Sequence, residues 1–160
     1  MANISTKFGF GGGSAVQISE RLAAGTYTIP IPDNTLAWEC YLIGGGGSGG
    51  AIEGDSSNEM NATGGAGGSY AHGIRRQTSG ATDITLVIGT GGVAVSTSSG
   101  GVAGNTGGSS TASDGTITFT APGGGAGQVG SNSSAAAATA GATGSVSDSG
   151  DVDSAQGGAS

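Results

Sequence analysis

Large apolar residues recur steadily from the N-terminus to Phe119 and then nearly stop: Val129, Val146 and Val152 are the only ones from Thr120 to Ser160. Within the richer part the spacing is two. GTYTIPIP alternates Tyr27, Ile29 and Ile31 with threonine and proline, the pattern of a half-buried strand. Pro30 and Pro32 sit on the opposite phase, which places that strand at an edge or an end of its sheet. LAWECYLI alternates Leu36, Trp38, Cys40 and Leu42 on one face, with Ala37, Glu39 and Tyr41 on the other. Further strands are predicted in GGSYAHGIRRQ, ATDITLVIGT and GTITFTAP. Residues 15–24 (AVQISERLAA) fit either one short helix or an edge strand. SSAAAATA is the single late helix-like run, and it has no apolar face.

The strands end alike. Ile43, Ile88 and Ala121–Pro122 each run into glycine, as GGGGSGG, GTGG and GGGAG. Glycine loses more backbone freedom on ordering than any other residue, so a glycine run after a good strand needs a reason. Recurrence after three strands points to a building plan. Without Cβ atoms, such segments can pack as left-handed, polyproline-like rods that satisfy one another's N–H and C=O groups. A spacing of three does occur, at Gly44, Gly47, Gly50 and at Gly101, Gly104, Gly107, but 37 glycines in 160 residues produce such runs by chance, so the period carries little weight at this stage. The fold class is all-β: a small antiparallel sheet or sandwich with long glycine-rich loops and little or no helix. The expected division is an N-terminal anchoring segment (1–24), a glycine-rich β domain (25–127) and a low-complexity Gly/Ala/Ser segment (128–160).

Charge narrows the chemistry. Charged residues are 9% of the chain and the net charge is −7, with four Lys and Arg in all. No basic stripe exists for phosphate backbones, so nucleic-acid binding is not expected. No apolar run reaches membrane-spanning length, and the first residues lack the pattern of a secretory signal. Cys40, the one cysteine, excludes an intrachain disulfide.

Several local motifs have stronger bland readings. Gly125–Gly130 (GAGQVG) and Gly44–Gly49 (GGGGSG) fit the dinucleotide fingerprint but have no helix to open. Cys40 with His72 is a conceivable nucleophile pair, yet Cys40 shares the apolar face of Trp38 and Leu42. Asp148, Asp151 and Asp153 lack the acidic partner of a calcium loop. The basic pair Arg75–Arg76 fits a surface strand end or a contact to an acidic partner. Trp38, Tyr41 and Tyr70 have rings that could stack sugars, with Trp38 expected in the core. Asn3, Asn61 and Asn132 head glycosylation sequons, which mean nothing without a secretory route. No catalytic constellation, metal site or cofactor site emerges, and the chain is not expected to be an enzyme.

The order of the elements carries one resemblance. GTYTIPIPDNTLAWECYLIGGGGSGG, then GGAGGSYAHG, then LVIGTGG, then GNTGGSSTASDGTITFTAPGGGAG resembles the glycine-rich domains of tailed-bacteriophage fibre and adhesin proteins, over residues 25–127. The resemblance implies a structural virion protein, a tail or head fibre component involved in host attachment. It would be assembled in the host bacterial cytoplasm, as a homo-oligomer with a trimer favoured. Other virion proteins would hold the N-terminal segment, and a host-surface receptor is a further partner. A bacterial surface adhesin and an ice-binding or matrix protein are the alternatives. The family's closing strand of alternating Val and Ile has no apparent counterpart after Val129, so a longer polypeptide or partner chains are expected to close the fold.

Overall fold

A computed structural model describes residues 4–10, 17–33, 35–53, 60–77, 80–131, 145–146 and 152–158. Its regular elements are all strands: β1 (Ile4–Phe10), β2 (Gln17–Arg21), β3 (Gly25–Pro30), β4 (Thr35–Ile43), β5 (Ala51–Glu53), β6 (Met60–Ala62), β7 (Tyr70–Arg76), β8 (Asp83–Ile88), β9 (Gly100–Val102), β10 (Ser110–Ser113), β11 (Thr118–Ala121), β12 (Val129–Ser131), β13 (Ser145–Val146) and β14 (Val152–Gly158). Two five-stranded antiparallel sheets, ordered β14-β7-β4-β1-β2 and β13-β11-β10-β8-β3, pack face to face. Alternation supplies the core. Trp38, Cys40, Leu42 and Ala71 come from the first sheet, and Ile29, Ile84, Leu86, Ile88, Ala112, Phe119 and Ala121 from the second, all buried. The Trp38 and Phe119 rings meet edge to face, with centroids 5.4 Å apart and an interplanar angle of 89°. The Phe119 ring fills the place a Cβ on Gly73 would need, so that glycine lets the large ring seat against β7. The Arg75 Nε donates to Asp114 Oδ2 at 3.2 Å, and both side chains are almost wholly buried.

Three details depart from the sequence reading or resolve it. The phase of β4 is as expected from Trp38 to Leu42, but Leu36 is 60% exposed and Thr35 is buried. Gly9 pairs Ala37 and Phe10 pairs Thr35, so Leu36 is an extra residue with no opposite number in β1. A bulge of this kind flips the side-chain phase beyond it. Residues 17–21 form an edge strand rather than a helix, and the proline-bearing β3 also lies at an edge, where a missing N–H costs no ladder bond. Strands do occur after Val129, though without alternating Val and Ile. β13 extends β11 and β14 extends β7, so the polar tail contributes the last strand of each sheet. Few apolar residues announce it, because much of its pairing is made by backbone: Ala155, Gln156, Gly157 and Gly158 lie opposite Gly73, His72, Ala71 and Tyr70.

The glycine runs are rods. Segments 44–50, 63–69, 89–92, 103–109 and 122–128 leave or enter the sandwich and lie against one another. Gly44, Gly47 and Gly50 donate to the carbonyls of Ser69, Ala66 and Thr63. Thr63, Ala66 and Ser69 donate in turn to Gln128, Gly125 and Pro122. Gly45 and Ser48 donate to Gly108 and Asn105, while Gly124 and Gly127 donate to Gly45 and Ser48. Each neighbour is therefore met at every third residue, which is the repeat of a polyproline-type helix. The period of three at Gly44, Gly47 and Gly50, given little weight above, is a structural period.

Candidate functional site

The bundle is built from the strand ends outward. Where three segments leave the sandwich, the buried Ser110 hydroxyl donates to the Ile43 carbonyl at 2.7 Å and accepts from the Gly89 N–H at 3.0 Å. One hydroxyl thus ties the roots of two outgoing rods to β10. Beyond it the rods contain no charged residue. Close approach explains why. A Cβ on Gly45 would land on the Thr90 carbonyl, one on Gly47 on Gly125, and one on Gly124 on Ala66. None of these glycines has a positive φ, so they are required by backbone contact and not by turn geometry. Polar side chains that do occur are used within the bundle: Ser48 Oγ accepts from the Asn105 N–H at 2.8 Å, and Thr63 Oγ1 from the Gln128 N–H at 2.9 Å.

At the far end each rod pair is closed by a short ribbon. β5 pairs β9 and β6 pairs β12. Met60 and Val129 pack over Gly101, where a side chain would displace them. The tip presents Ile52 and Val102 to solvent, together with Glu53. All four Lys and Arg lie in β1, β2 and β7 of the first sheet, so the rods and the tip carry no basic side chain.

The residues singled out in the sequence fall as follows. Cys40 and His72 lie on adjacent strands but on opposite faces. Cys40 is buried opposite Gly73, and burial, partly offset by the Gly73 backbone and reinforced by Glu39, pushes its thiol up to about 12. Burial and the raised pKa both disfavour the thiolate that a nucleophile requires. Arg75 and Arg76 part company, Arg75 pointing in toward Asp114 and Arg76 lying exposed. Burial alone would raise the Asp114 carboxyl, but N–H groups of Ile117 and Thr116 and the Arg75 guanidinium hold it below its ordinary value. Trp38 is core, whereas Tyr41 and Tyr70 meet on the outer face with centroids 6.5 Å apart. Gly125–Gly130 runs along a rod into β12, so the helix a dinucleotide site requires does not follow it. Asn61 lies in β6 at the tip and Asp153 in β14; Asp148, Asp151, Asn3 and Asn132 lie outside the described residues. Among the described residues no group of three or more His, Cys, Asp and Glu could hold a metal ion, and no helix is long and apolar enough to cross a membrane.

One cluster had no sequence signal. Glu39 Oε1 receives the Tyr41 hydroxyl and His72 Nε2, each at 2.7 Å, and the Tyr41 and His72 rings stack at 4.5 Å and 8°. The bond to Glu39, with burial adding to it, raises the Tyr41 hydroxyl. Cross-strand pairing of Tyr41 with His72 makes the stack, and a register cannot be read from one strand alone.

No curated protein matches this chain. A family model described as a glycine-rich domain matches residues 21–160. That span takes in the second sheet, the β14, β7 and β4 strands of the first, all five rods and the tip ribbons, while β1 and all but the last residue of β2 precede it, and the chain belongs to this glycine-rich domain family.

Proposed function

We propose that this chain is a structural virion protein of a tailed bacteriophage, a tail or head fibre component that takes part in host attachment. The observation that carries the reading is mechanical. A short, uncharged bundle of rods holds a small tip away from a β-sandwich, and seven residues at ~3.1 Å each make that offset about 20 Å. Rods locked at every third residue resist bending, so a load on the tip reaches the sandwich. The basic side chains gather on the first sheet, with β1 and β2 at one side of it, which suits an N-terminal anchor to other particle proteins. The particle would hold the chain as a homo-oligomer, a trimer by the usual symmetry of fibres, and the receptor would be met by the tip. Immunogold electron microscopy of purified particles with a tagged copy tests the assignment. Label at a fibre end is expected. Particles that carry no label while the chain stays in the lysate supernatant would remove it.

A further inference from the structure

The shell of rods around 44–50 is incomplete. A rod with three residues per turn directs its N–H groups along three lines and its carbonyls along three others, six lateral contacts in all. Four are filled from within the chain. Gly44, Gly47 and Gly50 reach 63–69, Gly45 and Ser48 reach 103–109, the carbonyls of Gly45 and Ser48 receive 122–128, and that of Gly46 receives Gly92. The neighbours also bond to each other in that order: 63–69 to 122–128, 122–128 to 103–109, and Gly108 to Thr90. The third donor line, the N–H groups of Gly46 and Gly49, meets no backbone acceptor among the described residues, and Gly46 is exposed in the opening between 89–92 and 63–69.

The glycines facing this opening differ from the rest. Gly45 and Gly47 must lack a Cβ for the chain's own sake, but a Cβ on Gly46 would find its nearest atom at 3.6 Å, one on Gly91 at 3.7 Å, and one on Gly64 nothing within 4 Å. These three carry glycine's ordering penalty with no packing reason inside the chain. A close-packed neighbour supplies one.

We propose that the groove over Gly46 and Gly49 takes a glycine rod of a second copy of this chain. The two donors stand three residues, ~9 Å, apart along the rod, so the acceptor must present carbonyls at the same interval, as an extended threefold segment does. Every filled line around 44–50 is filled by such a segment. The chain also exposes the segment that continues the rod 89–92: Thr90, Gly91, Val93, Ala94 and Ser96 are open to solvent along 90–96. This inference does not depend on the virion reading.

Sedimentation of the full chain over a wide concentration range, with amide hydrogen exchange read at Gly46 and Gly49, tests it. Association is expected, with both amides exchanging freely in the dilute monomer and becoming protected as it associates. Gly46→Ala, alone and with Gly91→Ala, is expected to leave the monomer's melting temperature unchanged or slightly raised and to abolish association. A chain that stays monomeric at the highest concentration overturns the proposal. So does association that Gly46→Ala leaves intact, or an oligomer in which Gly46 and Gly49 exchange as fast as in the monomer. Should the variants misfold, protection in the unsubstituted chain decides.

Discussion

A single residue in this protein is best understood by what its Cβ or its charge would meet. Leu42 is fully buried between the sheets, and Leu42→Ala is expected to cost about 2–5 kcal/mol in chemical denaturation. Leu36, six residues earlier on the same strand, is expected to tolerate serine within about 0.5 kcal/mol, because the bulge puts it in solvent. The contrast shows what alternation can and cannot reveal. Trp38, Cys40 and Leu42 were legible because their spacing of two survives in the fold; Leu36 was not, because a bulge depends on the partner strand. Asp114 gives a pH signature. Its folded carboxyl lies below its ordinary value, so its contribution is present above the unfolded pKa of about 3.9 and is lost as pH falls through the lower folded value. Asp114→Asn is therefore expected to lower the melting temperature at neutral pH and to flatten its decline on acidification, which a thermal melt series from neutral to acidic pH would record. An unchanged acid limb would mean that other carboxylates govern it.

At the scale of the element, a rod is unlike a strand or a helix because it makes no hydrogen bond to itself. Its stability is entirely that of its neighbours, which makes the response to substitution depend on direction around the rod. Gly124→Ala puts a methyl group into the Ala66 carbonyl and is expected to cost about 1–3 kcal/mol or more, as overpacking does. Gly64→Ala meets open space outside the left-handed region and is expected to stabilise by about 0.4–1 kcal/mol, through the unfolded chain. If both behave alike in denaturant titrations, the glycines are a tether and the packing described here is wrong. Ser110→Ala, which strands the Gly89 N–H and frees the Ile43 carbonyl at the roots of two rods, is expected to cost about 1–3 kcal/mol. That glycine runs pack was legible from their recurrence after strands. Which residue faces which neighbour was not, since a run of glycines has no amphipathic pattern, and scattered residues such as Ser48, Thr63 and Ala66 only mark places where a side chain fits.

For the whole molecule, the sandwich and the rods form one object whose parts are interleaved in sequence. The all-β, antiparallel plan was legible, and so was the placing of the proline-bearing β3 at an edge or end; that two sheets face each other was one of two readings left open. The closing strands β13 and β14 were not, because backbone pairing of alanine, glycine and glutamine leaves no apolar trace. The Tyr41–Glu39–His72 cluster was hidden for a related reason, lying in the register between two strands. The central position of 44–50 has a consequence in time. Its hydrogen-bond partners include Ser69, Asn105 and Gly127, so the first rod made is the last to be surrounded. At ~5–20 residues per second, the ribosome delivers Gly127 on the order of ten seconds after Gly44. Until then the first rod has no lattice to join, and contacts this distant in sequence make folding slow. A chain ending at Ala121 lacks 122–128, the rod that bonds to 44–50, 63–69 and 103–109 alike. Hydrogen exchange on that truncated chain is expected to show Gly47 and Ala66 unprotected while Leu86 in the sandwich keeps part of its protection. Stalled nascent chains of increasing length are then expected to show the layer appearing in one step near 122–128, so that the earlier rods stay open to proteases until that segment is made.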